Sequence, residues 1–389
     1  MKYTVIGMIS GTSYDAIDAA VADFELDGSE VLCRPRGVHS QAMPAALRAR
    51  IAAALPPNAT SMAEVCRLDT EIGQLFGAVA VAANERFADG TADLVVSHGQ
   101  TTYHWVEGAH AKGTLQLGAA AWVAEATGVA TVSDLRTRDI TRGGHAAPLA
   151  STLDALLVLS DGVRRGSLNL GGISNITVRD DDGSVLAYDI GPASALMDSA
   201  VTDATGGAER MDTDGARAAR GRVDEDLLAR FLDEPYYRRP APKSTGKELF
   251  HARYVADVVG DRNVTTDDLL ATLTELTARL VADACRAHKL EELVSAGGGV
   301  RNPALMRRIA NLAAPTKIRL IDEFGLPAQG KEAYLFALLG YLSVHGLDGT
   351  IASATGARSG AILGSLTPGR APLRLPEPAD RQPSRMRVV

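Results

Sequence analysis

Cysteine is nearly absent from this chain: three residues in 389, Cys33, Cys66 and Cys285, far apart and with no C-x-x-C pair. An odd, scattered set excludes a small disulfide scaffold and a common zinc motif, and fits a reducing compartment. A basic excess is missing too. Lys plus Arg number 40 against 47 Asp plus Glu, a net charge of −7, so the chain lacks the positive field of a general nucleic-acid binder. No uncharged apolar run reaches the ~18 residues that a membrane span needs. The opening Met1-Lys2-Tyr3-Thr4-Val5-Ile6-Gly7 lacks the basic, apolar and cleavage regions of a secretory signal. These absences point to a cytoplasmic protein with neither a nucleic-acid nor a membrane partner.

What is present is an ordinary globular composition, 46% hydrophobic and 22% charged. At ~100–200 residues per domain, the length suggests two domains. Aromatics are few at 5%, but glycines number 38, which points to tight backbone turns.

Three short strands open the chain, Tyr3–Ile9, Ala16–Phe24 and Glu30–Arg34, joined by turns at Ser10–Ser13 and Asp27-Gly28. A helix follows, marked by Met62, Val65, Leu68, Ile72, Leu75, Phe76 and Val79 at three- and four-residue spacing. The apolar strand Leu94-Val95-Val96, a short helix over Ala119–Ala126 and the strand Val129–Val132 continue as β–α–β units. Such an order makes an α/β mixed sheet with helices on its faces. The plan then recurs: strand Ser167–Leu170, turn Gly171–Ser174, strand Asn175–Val178, turn Asp180–Gly183, strand Val185–Asp189. This predicts a duplicated domain with a boundary near Gly143-Gly144, giving an N-terminal domain over 1–145 and a C-terminal domain over 146–370. A Pro- and Arg-rich extended tail over 371–389 follows. In the second half Thr265 caps a helix striped by Leu269, Leu270, Leu273, Leu276, Leu280 and Val281. After it come the strand Leu293–Ser295, the turn Gly297–Gly299 and a helix entered through Asn302-Pro303.

Three glycine turns thus follow strands directly: Ser10–Ser13, Gly171–Ser174 and Gly297–Gly299. Glycine lets backbone N–H groups approach phosphate oxygens, and Ser or Thr hydroxyls add donors. Any single such turn reads more readily as a hairpin connection; three at related positions of a duplicated fold suggest a nucleotide held between two domains. Two other motifs fail. Ser244-Thr245-Gly246-Lys247 has Glu248 where a Walker A loop needs Ser or Thr, and Gly297-Gly298-Gly299 lacks the G-x-G-x-x-G spacing of a dinucleotide fold.

The chain resembles the anhydro-N-acetylmuramic acid kinases along nearly its whole length. The motifs, in order, are Ile6–Ser13 with Asp15 and Asp18, Ser97-His98-Gly99-Gln100-Thr101, Leu115-Gln116-Leu117-Gly118, Val132-Ser133-Asp134-Leu135-Arg136, and Gly143-Gly144 with Ala147-Pro148-Leu149. They continue through Asn169–Asn175, Asp189-Ile190-Gly191-Pro192, Pro242-Lys243-Ser244-Thr245-Gly246, Ser295–Gly299 and Lys331-Glu332-Ala333. Four places depart from the family pattern. Tyr14 stands for Leu or Met, Ala16 for Gly, His145-Ala146 for Gln-Gly, and Ile190-Gly191-Pro192-Ala193-Ser194 for Thr-Gly-Pro-Gly-Asn. At Ala193 a lost glycine would cost ~1 kcal/mol or more were its φ positive.

The resemblance implies a duplicated actin-like ATPase fold, two domains each with a mixed five-stranded sheet flanked by helices and ATP in the cleft between them. It also implies a homodimeric, ATP-dependent enzyme of peptidoglycan recycling. The family reaction transfers phosphate to O6 of 1,6-anhydro-N-acetylmuramic acid while water opens the bridge at C1. On this resemblance ATP, with Mg²⁺, lies along Gly11, Thr12, Ser13, Tyr14, Asp15, Ala16, Ile17 and Asp18, with Gly171, Gly172, Gly297, Gly298 and Gly299 as further nucleotide contacts. Asp189 is the expected general base. Gln100, Thr101, Asp134 and Arg136 are expected at the sugar, with Glu332 as a further candidate; the metal ligands are open. Read from the residues alone, Asp189 is equally a turn residue and Arg136 equally an ion-pair partner of Asp134 or Asp139. His98 reads as a hydrogen-bonded structural residue rather than a ligand. Two rivals stay open: another sugar or acetyl kinase on the same fold, and a non-catalytic ATP-dependent clamp, which would have no need of Asp189.

Overall fold

The strand β1 (Tyr3–Ser10) is buried at every position after its first, as a strand covered on both faces must be. In this computed structural model, which describes residues 2–108, 110–241, 243–246 and 249–389, β1 is central to a sheet. It pairs antiparallel with β2 (Ala16–Asp27), and β2 pairs antiparallel with β3 (Glu30–Ala42). On its other side β1 runs parallel to β4 (Leu94–Glu107). β4 is far longer than the apolar triplet that announced it, because its outer half folds back as a hairpin with β5 (His110–Leu117). β6 (Thr131–Ser133) lies parallel to β4.

The second unit repeats that order. β7 (Arg165–Leu170), β8 (Ile173–Arg179) and β9 (Val185–Pro192) form an antiparallel meander. β10 (Glu292–Ala296) then runs parallel to β7, and β11 (Lys317–Leu320) parallel to β10. The spatial orders β6-β4-β1-β2-β3 and β11-β10-β7-β8-β9 are therefore the same plan, and the duplication holds in topology.

The division of the chain differs from the expected one. One compact unit comprises Met1–Leu157 with Gly330–Val389, the other Val158–Gln329. The expected boundary at 145/146 falls ahead of this division, and residues 330–370 do not belong with the second half. The helix Lys331–Val344 packs on β1, where a Cβ at Gly7 would lie 2.2 Å from the Ala333 carbonyl and the Ala337 nitrogen. β12 (Ser365–Thr367) pairs with β6, and β13 (Arg385–Val388) pairs parallel with β3. The expected extended tail thus ends as a strand, anchored by buried Met386. With β5, β12 and β13 the first sheet has eight strands rather than five; the second has five.

The helices follow their caps. Ser61 accepts from Glu64 N–H at 3.1 Å and starts Met62–Ala88, which buries Leu68, Ile72, Phe76 and Val79 while Met62 faces solvent. Thr265 Oγ1 accepts from Asp268 N–H at 3.1 Å to start Thr266–Ala287, and Asn302 Oδ1 accepts from Leu305 N–H at 3.0 Å to start Pro303–Ala313. Among the described residues, no helix is long and apolar enough to cross a membrane.

Candidate active site

In the first unit, the loop leaving β1 closes on a tight turn in which Tyr14 N–H donates to the Gly11 carbonyl at 3.0 Å. Tyr14 takes φ +43°, in the left-handed region. Thr12 and Ser13 are exposed, and Ser13 Oγ donates to Asp15 Oδ1 at 2.7 Å. A Cβ at Gly11 would meet nothing nearer than Ser13 Oγ at 4.0 Å, so the space over this backbone is open. Open backbone beside exposed hydroxyl side chains is what phosphate oxygens bind. Ala16, Ile17 and Asp18 begin β2; the Ile17 side chain is buried in the core, so only its backbone borders the loop.

Gln100 holds this loop from beneath. Ser10 Oγ donates to Gln100 Oε1 at 2.6 Å, and Gln100 Nε2 donates to the carbonyls of Gly11 at 3.2 Å and Thr101 at 3.1 Å. The residue is fully buried. Its amide is committed to the loop, which differs from the direct sugar contact expected of it. Thr101 is half-buried and accepts from Gln116 Nε2 at 3.2 Å.

Arg136, Glu332 and Asp18 are electrostatic neighbours. Burial lowers the Arg136 pKa to about 10, against the opposing pull of Glu332 and Asp139. Desolvation by the protein packed around it pushes the Glu332 carboxyl above the ordinary range; Lys331 and Arg136 oppose that shift, and Asp18 adds to it. Next to Glu332, Lys331 Nζ lies 2.6 Å from Asp154 Oδ1, both side chains buried. Arg136 makes neither ion pair suggested by its neighbours in sequence. Its Nε donates to His98 Nε2 at 2.8 Å and its Nη1 to the Ala146 carbonyl. Asp139 is instead buried with Ala146 N–H at 2.7 Å and Thr355 Oγ1 at 2.8 Å as donors to its carboxylate. Asp134 is exposed and accepts from Thr137 N–H at 3.2 Å, opening the short helix Thr137–Thr141.

In the second unit, β7 and β10 are parallel neighbours with Asn169 opposite Ala296, so Gly171-Gly172 and Gly297–Gly299 sit side by side at one sheet end. Gly297 has φ +90°, and a Cβ there would lie 2.6 Å from Asn169 Oδ1; a Cβ at Gly298 would meet nothing nearer than Arg301 Nη2 at 3.9 Å. The Gly171 and Gly172 carbonyls accept from Ala193, Ser194 and Ala195 N–H groups at 2.9–3.1 Å, fastening the start of the helix Ser194–Ala204. Ala193 has φ −116°, so the left-handed penalty of a missing glycine does not arise there. The left-handed burden falls on Ala146 at φ +55°, held on both sides by Asp139 and Arg136.

Asp189, near the end of β9, is half-buried. Its Oδ2 accepts from Thr245 N–H at 3.0 Å and Ser244 Oγ at 3.2 Å, its N–H donates to the Lys243 carbonyl, and its carbonyl accepts from Tyr236 at 2.7 Å. Lys243 in turn donates to the carbonyls of Tyr236 and Tyr237. The grip of residues 243–245 and Tyr236 on Asp189 was not anticipated; the polar run Lys243-Ser244-Thr245 was its only local signal. Pro242, Lys247 and Glu248 lie outside the described residues.

The twice-used strand order and the glycine turns at equivalent strand ends define a class, the duplicated actin-like α/β proteins. Within it, the family described as anhydro-N-acetylmuramic acid kinase matches residues 3–369. The chain is 55% identical over 386 residues to the anhydro-N-acetylmuramic acid kinase of Streptomyces coelicolor, covering 99% of both chains. It is 49% identical to that of Rhodococcus erythropolis, again over 99% of both, and 38% identical to that of Gloeobacter violaceus over 93% of this chain and 98% of the other. The chain belongs to the anhydro-N-acetylmuramic acid kinase family. Among solved structures it is similar to an activator of 2-hydroxyisocaproyl-CoA dehydratase from Clostridium difficile with bound ADPNP (TM-score 0.40, 13% identity, 86% and 93% covered). It is also similar to a ROK hexokinase from Thermus thermophilus (TM-score 0.35, 15% identity, 88% and 99% covered).

Proposed function

We propose that this protein is an ATP-dependent kinase that opens 1,6-anhydro-N-acetylmuramic acid with water and phosphorylates O6, giving N-acetylmuramic acid 6-phosphate for peptidoglycan recycling. Full-length family membership, at 55% identity to a named relative, carries the reading. Water attacks C1 and the C1–O bond of the bridge breaks. The electron pair stays on the former bridge oxygen, O6, which takes the γ-phosphoryl group as ADP leaves. Water is a poor nucleophile at neutral pH and needs a base; Asp189 is assigned that role and receives the proton. Its two hydrogen bonds from Ser244 and Thr245 at Oδ2 support a fixed orientation.

Phosphoryl transfer is mostly positioning and charge neutralisation. The open Gly11–Ser13 turn is assigned to the ATP phosphates, and the Gly297–Gly299 turn, whose middle residue has only the Arg301 side chain near it, to the nucleotide. No group of three His, Cys, Asp or Glu poised for a metal occurs among the described residues. That fits Mg²⁺ held by one or two carboxylates and the phosphates of its nucleotide, its usual mode; Asp15 and Asp18 are the carboxylates proposed, and the ion supplies charge neutralisation. Arg136 is assigned to the lactyl carboxylate, with Thr101, Asp134 and Glu332 around the sugar. Arginine's planar fork suits a carboxylate, and two of its five N–H donors are spent on His98 and Ala146. A cytoplasmic homodimer completes the proposal.

A coupled ADP-release assay over a panel of sugars tests this function. ADP formed with the anhydro sugar is the expected result. ADP only with an unbridged hexose favours an ordinary sugar kinase, and no ADP with any sugar favours the clamp.

A further inference from the structure

His98 is buried at the turn of β4, its ring against Phe336 with centroids 4.4 Å apart. Its Nδ1 lies 3.0 Å from the Gly99 carbonyl, which can only accept, so Nδ1 carries the hydrogen. Its Nε2 lies 2.8 Å from Arg136 Nε, which can only donate, so Nε2 is the bare acceptor. Both contacts therefore demand one tautomer of a neutral ring. Burial, and then the Arg136 charge, push the His98 pKa far below its ordinary value, in agreement with that geometry. A second anchor, the Ala146 carbonyl, takes a hydrogen from Nη1. Two fixed acceptors on different edges of a planar group fix its plane. His104 is likewise held below its ordinary value, first by burial and then by the charges of Arg136 and His145.

We propose that His98 is a positioning residue for substrate selection: as a neutral, single-tautomer acceptor it sets the plane of the Arg136 guanidinium, so that the remaining donors meet a substrate carboxylate. The inference rests on the reading of Arg136 as the carboxylate contact. Without His98 the guanidinium keeps its charge but loses its aim. Selection for the acidic sugar over its neutral counterpart falls, while the transfer step is left alone.

Two substitutions of similar size separate aim from packing. His98→Asn keeps a polar group on the Nδ1 side, within reach of the Gly99 carbonyl, and loses the acceptor facing Arg136. His98→Gln places its amide oxygen on the Nε2 side and retains that acceptor. Folding is checked by circular dichroism and melting, and kinetics are read with 1,6-anhydro-N-acetylmuramic acid and with 1,6-anhydro-N-acetylglucosamine, which lacks the lactyl carboxylate. The expected result is a KM for the acidic sugar raised about tenfold or more in His98→Asn, the scale of one lost bond to a charged group. In the same variant kcat, the KM for ATP and the kinetics with the neutral sugar stay within about twofold. His98→Gln recovers most of the loss, and adding His98→Asn to Arg136→Ala costs nothing further. Equal damage from Asn and Gln, equal loss with both sugars, or additive effects in the double variant would overturn the positioning role. An Arg136→Ala variant with unchanged discrimination between the two sugars would instead overturn the carboxylate reading beneath it, and this inference with it.

Discussion

Ser10 and Gln100 are joined by a buried 2.6 Å hydrogen bond that ties the end of β1 to the bend in its parallel neighbour β4. Gln100 then passes the tie to the Gly11 carbonyl, so one side chain sets the floor of the loop proposed to hold phosphate. Replacing it with an apolar isostere strands the Ser10 hydroxyl, itself buried. Gln100→Leu is expected to lower stability by about 1–3 kcal/mol, the cost of a buried polar group left unpaired, and to weaken ATP binding. Urea unfolding with a calorimetric ATP titration reads both; a variant as stable as the parent would show that the tie contributes nothing.

Gly11 and Gly7, four positions apart in β1 and its loop, separate a ligand requirement from a folding one. Gly11→Val meets open space and is expected to fold normally yet bind ATP more weakly, because its side chain covers the backbone that phosphates approach. Gly7→Ala drives a Cβ into the backbone of the 331–344 helix and is expected to destabilise the first unit by about 1–3 kcal/mol or more. Unchanged nucleotide affinity in folded Gly11→Val would move the phosphate site elsewhere.

Asp189→Asn removes the proposed proton acceptor while retaining much of the shape. Turnover is expected to fall ~10²–10⁴-fold, the range for a general base, with ATP and sugar affinities nearly kept. Steady-state kinetics and equilibrium titrations decide it, and turnover within a fewfold of the parent removes Asp189 from the chemistry.

Glu275 offers a pH test in the second unit. Burial alone would raise its pKa, but hydrogen bonds from Arg308 and Arg279 outweigh burial and hold it below the ordinary carboxylate value. A depressed folded pKa adds stability above the unfolded value, near ~4.3, that disappears as pH falls through the folded one. Glu275→Gln is therefore expected to cost about 1–3 kcal/mol at pH 7, and that cost is expected to shrink as pH falls below the ordinary carboxylate value, about 4.3. Denaturation curves for both proteins across pH 7 to 2 check the sign; a penalty that does not shrink at all in acid points to packing instead.

The sequence made the meander–helix–strand order legible twice, because alternation and glycine turns are local signals. The return of residues 330–389 was not legible. It depends on Gly7 admitting Ala333 and Ala337, and on β13 finding β3, contacts between residues hundreds of positions apart. The site divides in the same way. Gly11, Asp189 and Arg136 stood out by type and motif, and His98 was rightly read as hydrogen-bonded. That Arg136 is its partner, and that Gln100 serves the loop rather than facing outward, follows only from strand register.

The fate of one oxygen atom distinguishes bridge opening from simple phosphorylation. If water attacks C1, its oxygen becomes the new C1 hydroxyl, and the former bridge oxygen stays on C6 and carries the phosphoryl group. An ordinary sugar kinase consumes no water, since O6 is already a hydroxyl. The reaction is run with the anhydro sugar in ¹⁸O-enriched water and quenched early, before exchange at the anomeric carbon, and the label is located by mass spectrometry. Label at C1 with none in the C6–O–P bridge is the expected pattern, and its loss in step with turnover in Asp189→Asn ties the water to that carboxylate. Label in the C6–O–P bridge would mean that water attacked C6 and would end the assignment of Asp189 to a water at C1.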